Sequence, residues 1–266
     1  MKITFCSLFS GSSGNAIYIG AGDTHILVDA GLPGKTVSEA LMSIGVLPET
    51  LSAILVTHEH SDHIKGVGVL SRKYRIPIYA NHRTWEAMER HVGNIAPGCR
   101  REFESGDTFY IGNVSILPYP TSHDAAEPVG YRIDYGGYSV ATATDMGIFT
   151  KKILGALSGV DLLLLESNYD PDMLRENENY SQRLKTRIQS RYGHLSNNDC
   201  AGAIIDLQKT GVRNIVLGHL SQENNTPELA LQTVCGILSD CGLQPGTDVC
   251  VGMAWRDRVG DRYEIG

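Results

Sequence analysis

The 266-residue sequence has no apolar run approaching the roughly 18 residues that span a bilayer, and its start, MKITFCSLFSGSSGN, turns polar too soon for a secretory signal. These two absences point away from membrane insertion and export, toward a cytoplasmic protein with no membrane partner. Cysteine is sparse. Cys6, Cys99, Cys200, Cys235, Cys241 and Cys250 form no CxxC pair, which excludes a zinc ribbon or a disulfide scaffold and reads as buried, reduced thiols. Positive charge is not in excess either: 23 Lys and Arg against 30 Asp and Glu leave a formal charge of -7, so any contact with a polyanion must be local. Internal repeats, linkers and low-complexity tracts are absent, which predicts a single domain over residues 1–266. What is present is ordinary globular material, 42% hydrophobic, enough to build a large core and set disorder aside.

Short strands are expected at Ile3 to Phe9, Ala16 to Gly20 and His25 to Asp29, separated by Gly, Ser, Asn and Asp turns, followed by a helix at Thr36 to Ile44. The apolar run Ala53 to Thr57 ends at His58, and a helix over roughly Asp62 to Tyr74 follows. Further strands are expected at Pro77 to Ala80, Asp107 to Ile111, Val114 to Leu117, Val129 to Asp134, Ser139 to Thr144 and Asp161 to Glu166, with a helix at Thr84 to His91 among them. Beyond Asp170 the pattern turns helical, at Pro171 to Arg191, Asn198 to Thr210 and Pro227 to Asp240, broken by strands at Asn214 to Leu217 and Val249 to Ala254. Strand-rich and helix-rich stretches in both halves imply a layered α/β sandwich.

Thr57-His-Glu-His-Ser-Asp-His63 places three histidines and a carboxylate in six residues directly after an apolar strand. Chance would produce that pattern in such a chain on the order of one time in a thousand. Residues two apart in an extended stretch point the same way, so His58 and His60 suit one ion, while Asp62 and His63, at a helix start, face another. Imidazole nitrogen and carboxylate oxygen are borderline ligands that suit zinc, manganese or iron. Two local pairs cannot complete two sites, and His123, Asp145 and His219, each at a strand-to-loop junction, offer the remaining ligands. His25, His82 and His91 lack such context and read as surface or packing residues.

THEHSDH resembles the HxHxDH signature of the metallo-β-lactamase superfamily, and Asp29 in LVDAG, His123, Asp145 and His219 match its other motifs in order. The resemblance implies a four-layer αββα sandwich with the site at one edge. His58, His60 and His123 would hold one ion, and Asp62, His63 and His219 the second. Asp145 would bridge them, and Asp29 would support the loop from behind. The implied cofactor is a pair of divalent ions, Zn or Mn, with a hydroxide between them as nucleophile.

The two-ion arrangement suits displacement at a tetrahedral centre, but it also serves thioester hydrolysis, so the second half of the chain must decide. LLLLESNYD is similar to the segment of tRNA-processing relatives in which an acid after an apolar strand pairs with a histidine that protonates the leaving oxygen. Glu166 and His194 match those positions and, with Asp62, are the expected catalytic residues; the alternative for Glu166 is to cap the following helix. His194 lies in GHLSN, a near copy of GHLSQ at His219. Together with SGSSGN, SHDAAEPVGYR and TDMG these features resemble a small bacterial branch, the WalJ/YycJ-type nucleases, which implies 5′-to-3′ exonuclease action on DNA rather than RNA. Arg183, Arg187 and Arg191, spaced like one helix face beside His194 with Lys185 among them, suit phosphates, or else a solvated face paired with acids such as Glu176 and Glu178. The competing readings are a glyoxalase II-like thioesterase, a tRNA-processing-type endoribonuclease and a non-catalytic scaffold for nucleic-acid ends.

Overall fold

The computed structural model describes residues 1–266. The strands are β1 (Ile3–Phe9), β2 (Ala16–Ala21), β3 (Thr24–Val28), β4 (Ala53–Leu55), β5 (Ile78–Asn81), β6 (Arg100–Phe103), β7 (Phe109–Ile111), β8 (Val114–Pro120), β9 (Val129–Tyr135), β10 (Tyr138–Ala143), β11 (Leu162–Glu166), β12 (Asn214–Gly218), β13 (Cys250–Met253) and β14 (Arg262–Ile265). They form two seven-stranded sheets, ordered β14-β1-β2-β3-β4-β5-β6 and β13-β12-β11-β10-β9-β8-β7. The helices are α1 (Gly34–Ser43), α2 (Ser61–Ile64), α3 (Val67–Tyr74), α4 (His82–Val92), α5 (Lys151–Leu157), α6 (Pro171–Glu176), α7 (Gln182–Ile188), α8 (Asn197–Gln208) and α9 (Pro227–Asp240).

Side-chain alternation builds the layers. In β1, Ile3 and Phe5 point between the sheets and pack with Ile116, Tyr131 and Leu164, whereas Cys6 and Leu8 point outward to meet Val37 and Leu41 of α1. In β11, Leu162 and Leu164 join the inter-sheet core while Leu163 and Leu165 face α5, α8 and α9, so a continuous leucine run is buried on both faces. The result is the αββα sandwich expected from the sequence. Each sheet starts antiparallel and ends parallel, from β3 onward in the first and from β10 onward in the second. The carboxyl ends of β3, β4, β10, β11 and β12 thereby lie where loops can converge on one edge. This repeated plan between the halves has no counterpart in repeated sequence.

Two expected helices are broken. The one after His58 divides into α2 and α3 because Gly66 presses on the Asp29 loop: its N–H bonds the Ala30 carbonyl at 2.7 Å, and a Cβ there would stand 2.4 Å from the Leu32 oxygen. The stretch expected as one helix from Pro171 to Arg191 ends at Glu176 and restarts after Ser181, whose side chain caps α7, and Arg191 lies outside both helices. Strands β6 and β14 and helix α5 are additions to the sequence reading. Cys6, Cys99 and Cys200 are buried as expected, but Cys241 and Cys250 are exposed because both lie near the surface turn that follows α9. No helix is long and apolar enough to cross a membrane.

Candidate metal centre

The loop after β4 delivers His58, His60, Asp62 and His63; the turns after β8, β10 and β12 deliver His123, Asp145 and His219. His58, His60 and His123 form one cluster, with one nitrogen from each ring within 4.8 Å of the others. Second and third clusters share the Asp145 carboxylate: His58, His63 and Asp145, and Asp145, Glu166, His194 and His219. Asp145 is the point where the halves meet, with Oδ2 3.2 Å from His63 Nε2 and Oδ1 3.2 Å from His219 Nε2 and 3.6 Å from His123 Nε2. Asp62 reaches the site beside His63, at 3.5 Å from Nε2.

The backbone is bent to achieve this. Four residues other than glycine have positive φ, and three of them are Asp29 (60°), Asp145 (56°) and His219 (54°). Left-handed backbone costs roughly 1–3 kcal/mol for a residue with a Cβ, although Asp and His tolerate it better than most. The strain is held by neighbours: the Ser10 hydroxyl accepts the His219 N–H at 2.9 Å, and the Asn168 side chain donates to the His219 carbonyl at 2.7 Å. Gly31 of LVDAG is required for a different reason, since a Cβ would stand 1.6 Å from the Asp62 carbonyl oxygen. That contact locks the Asp29 loop against the histidine loop.

Hydrogen bonds behind the rings set their tautomers. Asp29 accepts the Thr57 N–H at 2.9 Å and hydroxyl at 2.8 Å, and its Oδ2 takes the Nδ1–H of His63 at 2.7 Å. His123 gives its Nδ1–H to the Gly193 carbonyl at 3.1 Å, and His219 gives its own to Asn15 Oδ1 at 3.2 Å. With Nδ1 donating, each ring turns Nε2 toward the Asp145 carboxylate, where that nitrogen can take a metal ion or a proton. A buried carboxylate ringed by imidazole nitrogens calls for positive charge, on an ion or on the rings. Two buried atoms bear this out: His58 Nε2 and Asp145 Oδ2 have no hydrogen-bond partner, a cost ordinarily avoided in a protein interior. The donor set and these orphaned atoms fit divalent metal.

Burial and the neighbouring charges act differently on each group of the cluster. Burial, then the neighbouring His63, hold His58 well below the usual imidazole range. Burial also opposes charge on Asp145, but His219 and His63 keep its carboxyl well below the normal value. At His63, burial is outweighed by Asp145 and Asp29, which push the imidazole well above normal. Positive charge is thus favoured on His63 beside the two carboxylates and disfavoured by burial on His58 and His123.

Glu166, at the end of β11, is fully buried and does not cap the next helix, which Asp170 does. Its Oε2 accepts the N–H groups of Met146 at 2.9 Å and Leu195 at 3.3 Å, and its Oε1 takes the Nδ1–H of His194 at 2.7 Å. His194 Nδ1 is 3.8 Å from Asp145 Oδ1, so both GHLS turns meet at one carboxylate. Burial disfavours the charged His194 ring, yet Glu166 and then Asp145 raise its pKa to about 9. Of the basic segment, Arg187 is ion-paired with Asp124, the neighbour of His123, whereas Arg191 stacks over Tyr192 at 5.3 Å. His25, His82 and His91 lie away from the centre; His25 bonds Tyr18 and His82 lies near Glu86 and Glu102.

Asn15, Thr57 and Ser10 touch the cluster, and the sequence reading does not single them out. The Asn15 amide bridges ring nitrogens of His63 and His219, with Nδ2 3.1 Å from His63 Nε2. The polar SGSSGN stretch preceding β2 was its one visible signal.

The family model described as "Beta-lactamase superfamily domain" matches residues 24–220. The exodeoxyribonuclease WalJ of Streptococcus pneumoniae is 44% identical over 243 residues, covering 91% of this chain and 90% of that protein. The exodeoxyribonuclease YycJ of Bacillus anthracis is 41% identical over 246 residues, covering 92% and 93%. The crystal structure of the metallo-β-lactamase fold protein YhfI from Bacillus subtilis superposes with a TM-score of 0.76 at 18% identity, over 99% of this chain and 100% of that one. With its sandwich fold and its histidine and aspartate centre, the chain belongs to the β-lactamase superfamily, in the branch of the WalJ and YycJ proteins.

Proposed function

We propose that this protein is a two-metal phosphodiesterase that degrades DNA from the 5′ end. The observation that carries the reading is the buried Glu166–His194 pair, 2.7 Å apart, set against Asp145. A departing alkoxide needs a proton, whereas a thiolate leaves without one, so a built acid favours a phosphodiester over the thioester of a glyoxalase II-like enzyme. Relatives that match nine-tenths of the chain are named exodeoxyribonucleases, which supports DNA as substrate.

In this reading His58, His60 and His123 would hold one ion, Asp62, His63 and His219 would hold the other, and Asp145 would be shared between them. Two divalent cations, Zn or Mn, would lower the pKa of an attacking water and neutralise charge building on the phosphate. Asp29 fixes the His63 ring through Nδ1, and the Gly193 carbonyl does the same for His123. Glu166 orients His194 through Nδ1 and keeps the ring charged, leaving Nε2 to protonate the departing oxygen. The basic segment near His123 would contact successive phosphates without reading bases. We further read residues 1–266 as one hydrolase domain, because β14 returns to pair with β1, and the cytoplasm, where DNA is found in bacteria, as its location. Turnover of bis(nitrophenyl) phosphate against a glutathione thioester, with zinc or manganese, tests the reaction class: the diester should be hydrolysed and the thioester spared, and the reverse preference would refute it.

A further inference from the structure

Ser10, the segment from Leu220 to the start of α9, and the loop between β13 and β14 form a second concave surface near the metal centre. The cavity has a volume of about 410 Å3, and Ser10, Leu220, Ser221, Trp255, Arg256 and Arg258 are among its lining residues. It adjoins the centre, since Ser10 accepts the His219 N–H and Leu220 is the next residue in the chain. The backbone is built around it: the Ser10 N–H bonds the Trp255 carbonyl at 2.9 Å, and a Cβ on Gly11 would stand 2.8 Å from Arg256 Cγ. Gly11 therefore lets Arg256 lie flat along the cleft.

The Arg258 guanidinium lies 3.8 Å over the Trp255 ring, which gives one wall a layered π face. Arg258 is exposed and Trp255 and Arg256 are half-buried, and neither arginine has an acidic partner in an ion pair. Asp257 and Glu228 also line the cavity and balance the arginine charges, so the cleft is poorly suited to a free inorganic anion. A ligand that stacks first and carries charge second suits it better. Resting on the reading of the protein as a nuclease, we propose that this cleft binds one nucleotide of the substrate strand next to the bond being cut. The base stacks on the Trp255–Arg258 wall and the phosphate meets Arg256. This gives Ser10, the first residue of SGSSGN, a place in the lining of a strand-binding subsite.

Trp255 makes the proposal directly measurable, because the other tryptophan, Trp85, is 1% exposed and packs in the core beneath α4. The metal-loaded protein is mixed with an oligothymidylate in a stopped-flow fluorimeter, and KM for its hydrolysis is measured alongside. Wild type should show saturable quenching before product appears. Trp255→Phe should lose that signal and keep KM within about threefold, while Trp255→Ala should raise KM roughly fivefold to a hundredfold with metal content unchanged, the range expected for one stacked base. Should Trp255→Ala fail to fold, Arg258→Gln, at an exposed side chain, is expected to raise KM in the same direction. Unquenched fluorescence with a strand that is cleaved, or an unchanged KM in the folded variant, overturns the subsite. If wild type hydrolyses bis(nitrophenyl) phosphate but neither binds nor cuts the oligonucleotide, the nuclease reading falls and the subsite with it.

Discussion

Glu166 Oε1 accepts the Nδ1–H of His194 at 2.7 Å, and the same carboxylate takes the backbone N–H groups of Met146 and Leu195 through its other oxygen. One side chain thus ties together the turn that bears Asp145 and the turn that bears His194. A purely structural carboxylate would need no histidine, and a surface histidine would need no buried carboxylate.

If His194 delivers the proton, His194→Ala should slow the chemical step on DNA by roughly 10²-fold or more, typical of a positioned general acid. A nitrophenyl phosphodiester, whose leaving group departs as a stable anion, should suffer much less. Single-turnover rates with both substrates, together with metal analysis, decide the matter. Equal loss on both substrates, or loss of metal, would make His194 a support for the second ion instead.

The pair also makes a pH prediction for metal-stripped protein. His194 is raised from 6.5 to about 9, so its contribution to stability is fully present below pH 6.5 and disappears as pH rises through about 9. Urea midpoints of wild type and Glu166→Gln should therefore differ most in the acid part of this window and converge above it. A gap that stays constant across the window would show that the pair is not linked to folding.

Asp145→Ala should lose at least one ion and nearly all hydrolysis while the fold survives, because Asp145 contacts His63, His123 and His219 but the three hydrophobic cores lie elsewhere. Metal content per chain and circular dichroism read the two halves of this prediction. Asp29→Asn acts one step behind: it weakens the grip on the His63 Nδ1–H and should lower metal affinity about 10- to 100-fold. Competition with a chromogenic chelator measures that loss.

Arg187 already has a partner in Asp124, so Arg183 and Arg191 are the better probes of phosphate contact. Replacing both by Gln should weaken binding and reduce the slope of log affinity against log salt by roughly 0.7 for each lost contact to a single strand. Equal slopes for the two proteins would remove this segment from the binding surface.

The clustering of these side chains was legible because the histidines and aspartates are compressed into THEHSDH or stand singly at the ends of apolar strands, where residue type and position coincide. The αββα layering came through the family resemblance, because the strands alone announce only a layered α/β sandwich: β1 and β11 are both buried on both faces, which leaves little alternation to read. Asn15 was hidden because nothing in the sequence says that its amide bridges ring nitrogens of His63 and His219. The left-handed backbone at Asp145 and His219 was equally hidden, since neither is the glycine that usually marks such a turn. The break at Gly66 depends on a distant loop pressing on it, and β14 is recognised only by its pairing with β1.

The central claim, a metal-dependent DNA-degrading phosphodiesterase, is tested most directly by digesting DNA and RNA labelled at one end with the protein supplied with manganese, zinc or magnesium. The account predicts that 5′-labelled DNA releases its label first as a short product, with manganese or zinc, while RNA of the same sequence is cut more slowly. A protein loaded with metal that leaves both polymers intact under all three ions, or that releases label from the 3′ end first, would contradict it.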